Sequence, residues 1–257
     1  MLAIGRTISL LDVARVARGG AAVTLDESAR RELGRARDHL DAALAAGATI
    51  YGVNTGFGAL SETPIAAVDL AALQVNLLRS HAVGVGAPLA PPVVRALLLL
   101  RAHTLALGAS GVSPALVDHL LALLAADIVP VVPSQGSVGA SGDLAPLAHL
   151  ALVVLGEGEV WLGGGRVPAA AALAAAGLAP FHLGPKEGLS LINGTQVMTA
   201  IGALAACDAA ELVAAADILA ALSVDALLGS ARPFDPRIHA GKPHPGQIAS
   251  ARVLREL

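Results

Sequence analysis

The stretch Gly136-Ser137-Val138-Gly139-Ala140-Ser141-Gly142-Asp143-Leu144-Ala145-Pro146-Leu147-Ala148-His149-Leu150 decides how this chain is read. Its centre, Ala140-Ser141-Gly142, can cyclise. For the backbone nitrogen of residue 142 to attack the carbonyl carbon of residue 140, the chain has to close a contorted five-membered ring, which only a residue without a Cβ tolerates easily. Gly142 meets that need, and Ala140 is too small to obstruct closure. Loss of water from the ring and then from the Ser141 side chain leaves a methylene conjugated to the ring carbonyls, an electrophile made from the chain alone. Two plainer readings compete. A Gly-rich segment ahead of a helix is often only a connector, and residues 129–132 followed by glycines and a helix imitate a dinucleotide site. The second fails in detail. Gly136, Gly139 and Gly142 are spaced G-x-x-G-x-x-G rather than G-x-G-x-x-G. Pro130 and Pro133 also interrupt the strand, where proline cannot donate to a central ladder.

Of the 257 residues 55% are hydrophobic but only 2% aromatic, so an ample core has to be filled by Ala, Leu and Val. Such a composition suits closely approaching helices better than a β-sandwich, where aromatic and β-branched residues are favoured. A mostly helical protein is expected. The net charge of -3, with no Lys/Arg cluster interleaved with aromatics, argues against a nucleic-acid partner. Mean hydropathy is high at +0.68, yet Arg95, Arg101, Asp118, Asp127, Asp208, Glu211 and Asp217 punctuate the apolar stretches. No clean span of about 20 apolar residues is therefore expected, and no membrane partner. Arg6, Asp12 and Arg15 break the N-terminal apolar stretch, unlike a signal-peptide core, which leaves a cytoplasmic protein as the expectation. Cys207 is the sole cysteine; in an Ala-rich helix it reads as a small buried hydrophobe without a role.

Ser9-Leu10-Leu11-Asp12 reads as a capping box for a short helix that stops at Gly19-Gly20. Further helices are predicted over 27–46, 69–82, 91–107 and 114–126, with a Gly-rich loop at 51–58. Within 69–82, Gln74, Leu77, Leu78 and His81 share one face, which puts His81 in a last turn beside Gly84-Val85-Gly86. Asp143 is placed to cap a helix over 144–155. Residues 161–183 read as a surface hairpin and a small helix. One long helix over 195–228, apolar nearly all round, has to be buried on most sides in a bundle or an oligomer.

Three more blocks accompany the opening stretch, in order: Tyr51-Gly52-Val53-Asn54-Thr55-Gly56-Phe57-Gly58, Arg79-Ser80-His81-Ala82-Val83-Gly84-Val85-Gly86, and Gly188-Leu189-Ser190-Leu191-Ile192-Asn193-Gly194-Thr195-Gln196. Together the four resemble the aromatic amino acid ammonia-lyases. The resemblance implies a mainly α, ammonia-lyase-like helical fold. An N-terminal mixed domain over 1–190 would carry the prosthetic-group loop, and 191–257 would open a long-helix bundle. It further implies 4-methylideneimidazole-5-one, formed from Ala140, Ser141 and Gly142, as the prosthetic group, with no metal and no nucleotide.

The same resemblance makes Tyr51 the base near the substrate's β-carbon, although a lone Tyr before a Gly-rich loop also reads as a packing residue. It makes Ser80 and His81 the residues that read the substrate's ring, where a helix-end histidine favoured by the helix dipole is the plainer account. An imidazole offers a donor and an acceptor to another imidazole, and the Ser80-His81 pair resembles the histidine-specific members rather than the tyrosine or phenylalanine enzymes. Asn193 is both a candidate N-cap of the long helix and a donor to the ring carbonyl, in the manner of an oxyanion hole. The helix starts after Asp143 and Asn193 are each placed to make the site electropositive. Asp143 has a candidate part in cyclisation as well, and Lys242-Pro243-His244-Pro245-Gly246-Gln247 is taken as structural.

The implied reaction is loss of ammonia from L-histidine to give trans-urocanate, in a homotetramer. The resemblance covers the whole chain but about the first half of the family's length. A second tyrosine, an arginine and a glutamate of the family are expected in the other half, and Arg252-Val253-Leu254-Arg255-Glu256-Leu257, without a helix stop, reads as a cut end. The alternatives are a lyase for another aromatic amino acid, a catalytically silent helical fragment that self-associates, and a nucleotide-binding module, which the glycine spacing disfavours.

Overall fold

Residues 1–58, 61, 63–138 and 142–257 are described in this computed structural model, and they are mainly α-helical. β1 (Leu2–Ile4) pairs in parallel with β2 (Val23–Leu25), and α1 (Leu10–Gly19) connects them. The Ser9 hydroxyl accepts from the Asp12 amide at 3.2 Å while the Asp12 carboxylate accepts from the Ser9 amide at 3.0 Å. This is the capping box legible in the sequence, and Gly20 closes the helix with a φ of 63°. α2 (Glu27–Ala45) starts from the Asp26 carboxylate, and α3 (Leu70–His81) ends one residue short of the expected stop.

α4 (Pro91–Ala106) is the centre of the packing. Val94, Ala96, Leu97, Leu98, Leu99 and Leu105 on it are all but fully buried. Burial of each such leucine contributes about 1.5–3 kcal/mol relative to exposure. A helix apolar on every side needs neighbours on every side, and α1 and α5 (Pro114–Ala125) supply two of them. The strands are short. β3 (Val85–Pro88) pairs antiparallel with β5 (Pro133–Gln135), and β4 (Val129–Pro130) forms the edge of a sheet with β6 (Glu159–Leu162) and β7 (Gly165–Pro168). Pro130 is tolerated because an edge strand has one side without ladder bonds. β6 and β7 are joined through Gly163 and Gly164, both at positive φ, as a two-residue hairpin turn requires.

α6 (Leu144–Val154) packs against α3 and α8 (Glu187–Ile192), while α7 (Ala169–Ala175) lies beside the β6–β7 hairpin. α9 (Gln196–Ala226) is the long helix. Contacts divide the chain into two units, Met1–Leu204 and Ala205–Leu257, with the division inside α9. The second unit holds the rest of α9, a 3-10 turn (Arg232–Phe234), α10 (Pro236–Ala240) capped by Asp235, and α11 (Pro245–Glu256), with Gln247 Nε2 3.1 Å from His239 Nδ1.

One expectation from the charge pattern needs correcting. The helical stretch Glu187–Ala226, which contains an 18-residue segment with a mean hydropathy of 1.6, is long and apolar enough by length and composition to cross a membrane. The punctuating charges leave a gap, since no Asp, Glu, Lys or Arg lies between Glu187 and Asp208. The stretch is nevertheless interrupted at 193–195, between α8 and α9.

Candidate active site

Ala140 and Ser141 lie outside the described residues, so of the tripeptide expected to cyclise only Gly142 is described. Its φ of 132° is one that L side chains rarely adopt, and a Cβ there would run into the carbonyl of Gly194. Val138 and Gly142 form a β-bridge that draws the two ends of the loop together. The Asp143 amide donates to the Gly194 carbonyl at 2.6 Å. The turn between α8 and α9 therefore sits directly on Gly142 and Asp143, at the end of the glycine-rich loop. Gly194 is itself constrained, because a Cβ on it would collide with Arg101 Nη1 and Gln196 Oε1.

The capping roles differ from those expected. Asp143 precedes α6, but its side chain makes no cap there. The buried carboxylate reaches across to α9 instead, where one oxygen accepts from the Val197 amide at 2.8 Å and the Met198 amide at 3.1 Å, and the other accepts from the Ser137 hydroxyl. With φ −87° and ψ 50°, Asp143 lacks the extended geometry of an N-cap, whereas the unmet amides at the start of α9 lie within reach. Asn193 is not the N-cap of α9; it is the C-cap of α8 and donates its amide to the Leu189 carbonyl at 2.9 Å. The positive end of α9 thus already faces a carboxylate, so the two helix starts do not both offer free amides to a common point.

Beneath this turn lies Arg101 of α4, only 2% exposed. Its Nη1 donates to the Asn193 carbonyl at 3.2 Å and to Gln196 Oε1 at 2.7 Å, and its Nη2 donates to the Ser190 carbonyl. Burial lowers the guanidinium to about 10, which leaves it protonated at neutral pH. Lys186, half-buried nearby, is pushed down by burial and by the charge of Arg101. Gln196 Nε2 completes the arrangement by donating to Thr104 Oγ1 at 3.2 Å.

The loop 51–58 is held by its own side chains. Asn54 Oδ1 accepts from the Ile50 amide at 2.7 Å, Asn54 Nδ2 donates to the Ala48 carbonyl at 2.8 Å, and Thr55 Oγ1 accepts from the Gly52 amide at 3.2 Å. Tyr51 is 55% exposed and packs edge-on against Phe57, ring centroids 6.1 Å apart. Gly52 abuts Leu189 of α8, closely enough that a Cβ would clash with it.

His81 closes α3 with Nδ1 2.9 Å from the Leu77 carbonyl and 3.1 Å from Ser80 Oγ. A carbonyl only accepts, so Nδ1 carries the proton and Nε2 is left as an acceptor. Ser80 Oγ donates to the same carbonyl at 2.9 Å. Beyond His81, the Gly84 amide donates to His149 Nε2 at 3.0 Å, and Gly136 packs against Gly84. Burial pushes the His149 imidazole down and so favours the neutral ring that can accept this bond.

Gly142, Asp143, Asn193 and Gly194 are thus in one contact set. The Ser80-His81 end of α3 is tied to the backbone leading into the loop, and Tyr51 is tied through Gly52 to α8 just ahead of Asn193. Among the described residues no hydrogen bond joins Tyr51 or His81 to the others. Arg101, Gln196, His149 and Gln74, whose Oε1 accepts from the Leu189 amide at 3.2 Å, were not singled out as site residues from sequence. The signal available was that each is a lone polar group within an apolar helical pattern, as in Leu97-Leu98-Leu99-Leu100-Arg101. A surface cavity of about 870 Å³, lined by Gly20, Arg95, Trp161 and Gly164 among others, includes none of these residues. Among the described residues no three His, Cys, Asp or Glu are grouped as for a metal ion.

Comparison with known proteins matches residues 8–257 to the aromatic amino acid lyase family. The histidine ammonia-lyase of Sorangium cellulosum (strain So ce56) is 55% identical over 257 residues, covering 99% of this chain and 50% of that protein. Among solved structures, histidine ammonia-lyase from Trypanosoma cruzi superposes with a TM-score of 0.92 at 37% identity, over 100% of this chain and 50% of that one. Tyrosine aminomutase from Streptomyces globisporus does so with a TM-score of 0.93 at 37% identity, over 99% and 48%. The chain spans about half the length of the curated relatives it matches.

Proposed function

The chain belongs to the aromatic amino acid lyase family, and we propose that the whole protein removes ammonia from L-histidine to give trans-urocanate. The observation that carries this reading is the closure of the Asn193-Gly194 turn on Gly142 and Asp143. The flanks fit 4-methylideneimidazole-5-one made from Ala140, Ser141 and Gly142. Gly142 holds a backbone that favours glycine, in a space a Cβ would fill. When formed, that group supplies an electrophilic methylene that draws electrons from the bound amino acid.

The chain's own residues do the rest in this proposal. Asn193, its backbone fixed as the α8 C-cap, would help hold the group, and its carboxamide N–H would supply a donor to a carbonyl oxygen of the ring. Tyr51, acting as the phenolate, receives on Oη the proton leaving the substrate's β-carbon and becomes the phenol, while the substrate's ammonium group is the leaving group. As the Cβ–H and Cα–N bonds break, a Cα=Cβ double bond forms and ammonia departs. His81 selects the substrate: with Nδ1–H committed to the Leu77 carbonyl, Nε2 accepts the N–H of the substrate's imidazole, and a hydrocarbon ring offers no such donor. Ser80 steadies that imidazole through its own contact with Nδ1. Asp143, in addition to binding the first amides of α9, supports the cyclisation by holding the loop end. On α9 the apolar side chains Leu212, Val213, Ile218, Leu219 and Leu222 are exposed. They are the surface through which copies of the protein associate, as a cytoplasmic homotetramer.

The test is to give the purified whole protein L-histidine, L-tyrosine and L-phenylalanine separately and to identify the products by absorbance and chromatography. Urocanate from histidine, with little product from the other two, is expected. Faster turnover of tyrosine or phenylalanine, or a β-amino acid in place of the unsaturated acid, would overturn the assignment.

A further inference from the structure

α4 is buried over most of its length, and the one fully buried charge on it is Arg101. Removing a guanidinium from water is costly unless its donors are used and its charge is matched. Here both terminal nitrogens donate but the charge is not matched. Among the described residues no carboxylate forms an ion pair with Arg101, and its Nε finds no partner. Asp143, the acidic side chain on the adjoining turn, is occupied by the Val197 and Met198 amides and Ser137. The three acceptors of Arg101 all belong to one short stretch: the Ser190 and Asn193 carbonyls at the C-terminal end of α8, and the Gln196 side chain that opens α9. Gly194 lies between them, against the guanidinium on one side and against Gly142 and Asp143 on the other.

We infer that Arg101 is a positioning residue for this site, locking the 193–196 turn from beneath so that Asn193 and the Gly194 carbonyl keep their places on the prosthetic-group loop. The inference rests on the lyase reading above and goes beyond it by assigning work to a residue that touches neither substrate nor reacting atoms. Two parts of the side chain contribute. The planar fork spans acceptors on both helices, which a single ammonium cannot do. The uncancelled charge, with Lys186 close by, makes the turn electropositive where negative charge gathers during the reaction. The positive end of α9 cannot serve that purpose, because Asp143 already faces it.

Three variants of the whole protein separate these contributions. Arg101→Met removes fork and charge, Arg101→Lys keeps the charge, and Gln196→Glu keeps an acceptor for Nη1 while cancelling the charge. The readouts are the fraction of chains lighter by two waters in intact mass, the thermal midpoint, and kcat and KM for L-histidine measured separately. Arg101→Met is expected to lower the cyclised fraction and to reduce kcat about 10²-fold, the usual effect of displacing a reacting geometry by about 1 Å. KM should change little, since His81 is held by Leu77 and not by Arg101. Arg101→Lys should fall between. Gln196→Glu should cyclise and melt like the parent yet lose kcat about tenfold, as one oriented charge is neutralised.

Folded Arg101→Met with the parent's cyclised fraction and kcat would overturn the inference, as would a change in KM alone. If Arg101→Met does not fold, parental kcat in both Arg101→Lys and Gln196→Glu overturns it equally. A parent protein that shows no loss of water overturns the lyase reading and this inference together. A cyclised, active parent with indifferent variants overturns the inference alone.

Discussion

Replacing Asp143 with alanine tests the cap that crosses from the end of the glycine-rich loop to α9. The substitution removes the acceptor for two helix amides and one hydroxyl. Val197 is 6% exposed, so its N–H is stranded, which costs about 1–3 kcal/mol. Met198 is 64% exposed, and water takes over much of its bond. Loss of a carboxylate at the start of a helix adds about 0.3–1 kcal/mol, more where it is partly buried. The sum is about 1–4 kcal/mol for Asp143→Ala. Asp143→Asn keeps an oxygen for Val197 and gives up only the charge, about 1 kcal/mol. Urea unfolding followed by far-UV circular dichroism measures both as shifts of midpoint at constant slope. Hydrogen exchange then locates the damage, and protection should fall over 196–199 rather than over 144–148. An Asp143→Ala protein within about 0.5 kcal/mol of the parent would refute the reasoning. So would loss of protection confined to the start of α6.

His81→Leu should raise KM for L-histidine about tenfold to a hundredfold, since in the proposed reading the substrate's N–H loses Nε2 as its acceptor; an unchanged KM would mean that the ring is read elsewhere. Gly194→Ala, forced against Arg101 and Gln196, should lower the thermal midpoint and the cyclised fraction, whereas Gly202→Ala, with open space around it, should be neutral or slightly stabilising. Equal effects of the two glycine substitutions would contradict the packing described. Burial pushes His103, His119 and His149 below the usual histidine value of 6.5. As the pH falls below 6.5 the unfolded chain takes up protons before the folded one does, so stability is complete above that value and is lost below it. The urea midpoint should therefore drop as the pH is lowered from 6.5, and less steeply in His149→Asn; a flat profile would contradict the burial of these rings.

Much of the framework is local and was legible. The Ser9 capping box, the limits of α2, α4 and α5, the 163–164 hairpin turn and the single long helix follow from spacing and turn chemistry. The competing dinucleotide reading finds no support in the structure either, since Pro130 lies on an edge strand and among the described residues the sheets are of two or three short strands. Capping around the site was misread because it is not local. Asp143 stands directly before α6, but its partner Val197 is 54 positions away, and sequence spacing reports only on neighbours. A helix follows Asn193, which suggests an N-cap from sequence alone, but Gly194 and Thr195 intervene and α9 begins only at Gln196. Arg101 was read as a charge that breaks an apolar run. Its role depends on the α8–α9 turn folding back over α4, a contact no periodicity encodes.

The central claim is that Ala140, Ser141 and Gly142 close into the electrophile that performs the elimination. Intact-mass spectrometry of the whole protein and of its Ser141→Ala variant, combined with urocanate formation from L-histidine, tests it most directly. The account expects the parent to be lighter than its encoded sequence by two waters and active, and Ser141→Ala to lack that cyclised group and be inactive. A parent protein of full encoded mass that still releases urocanate, or a Ser141→Ala protein with normal turnover, would contradict it.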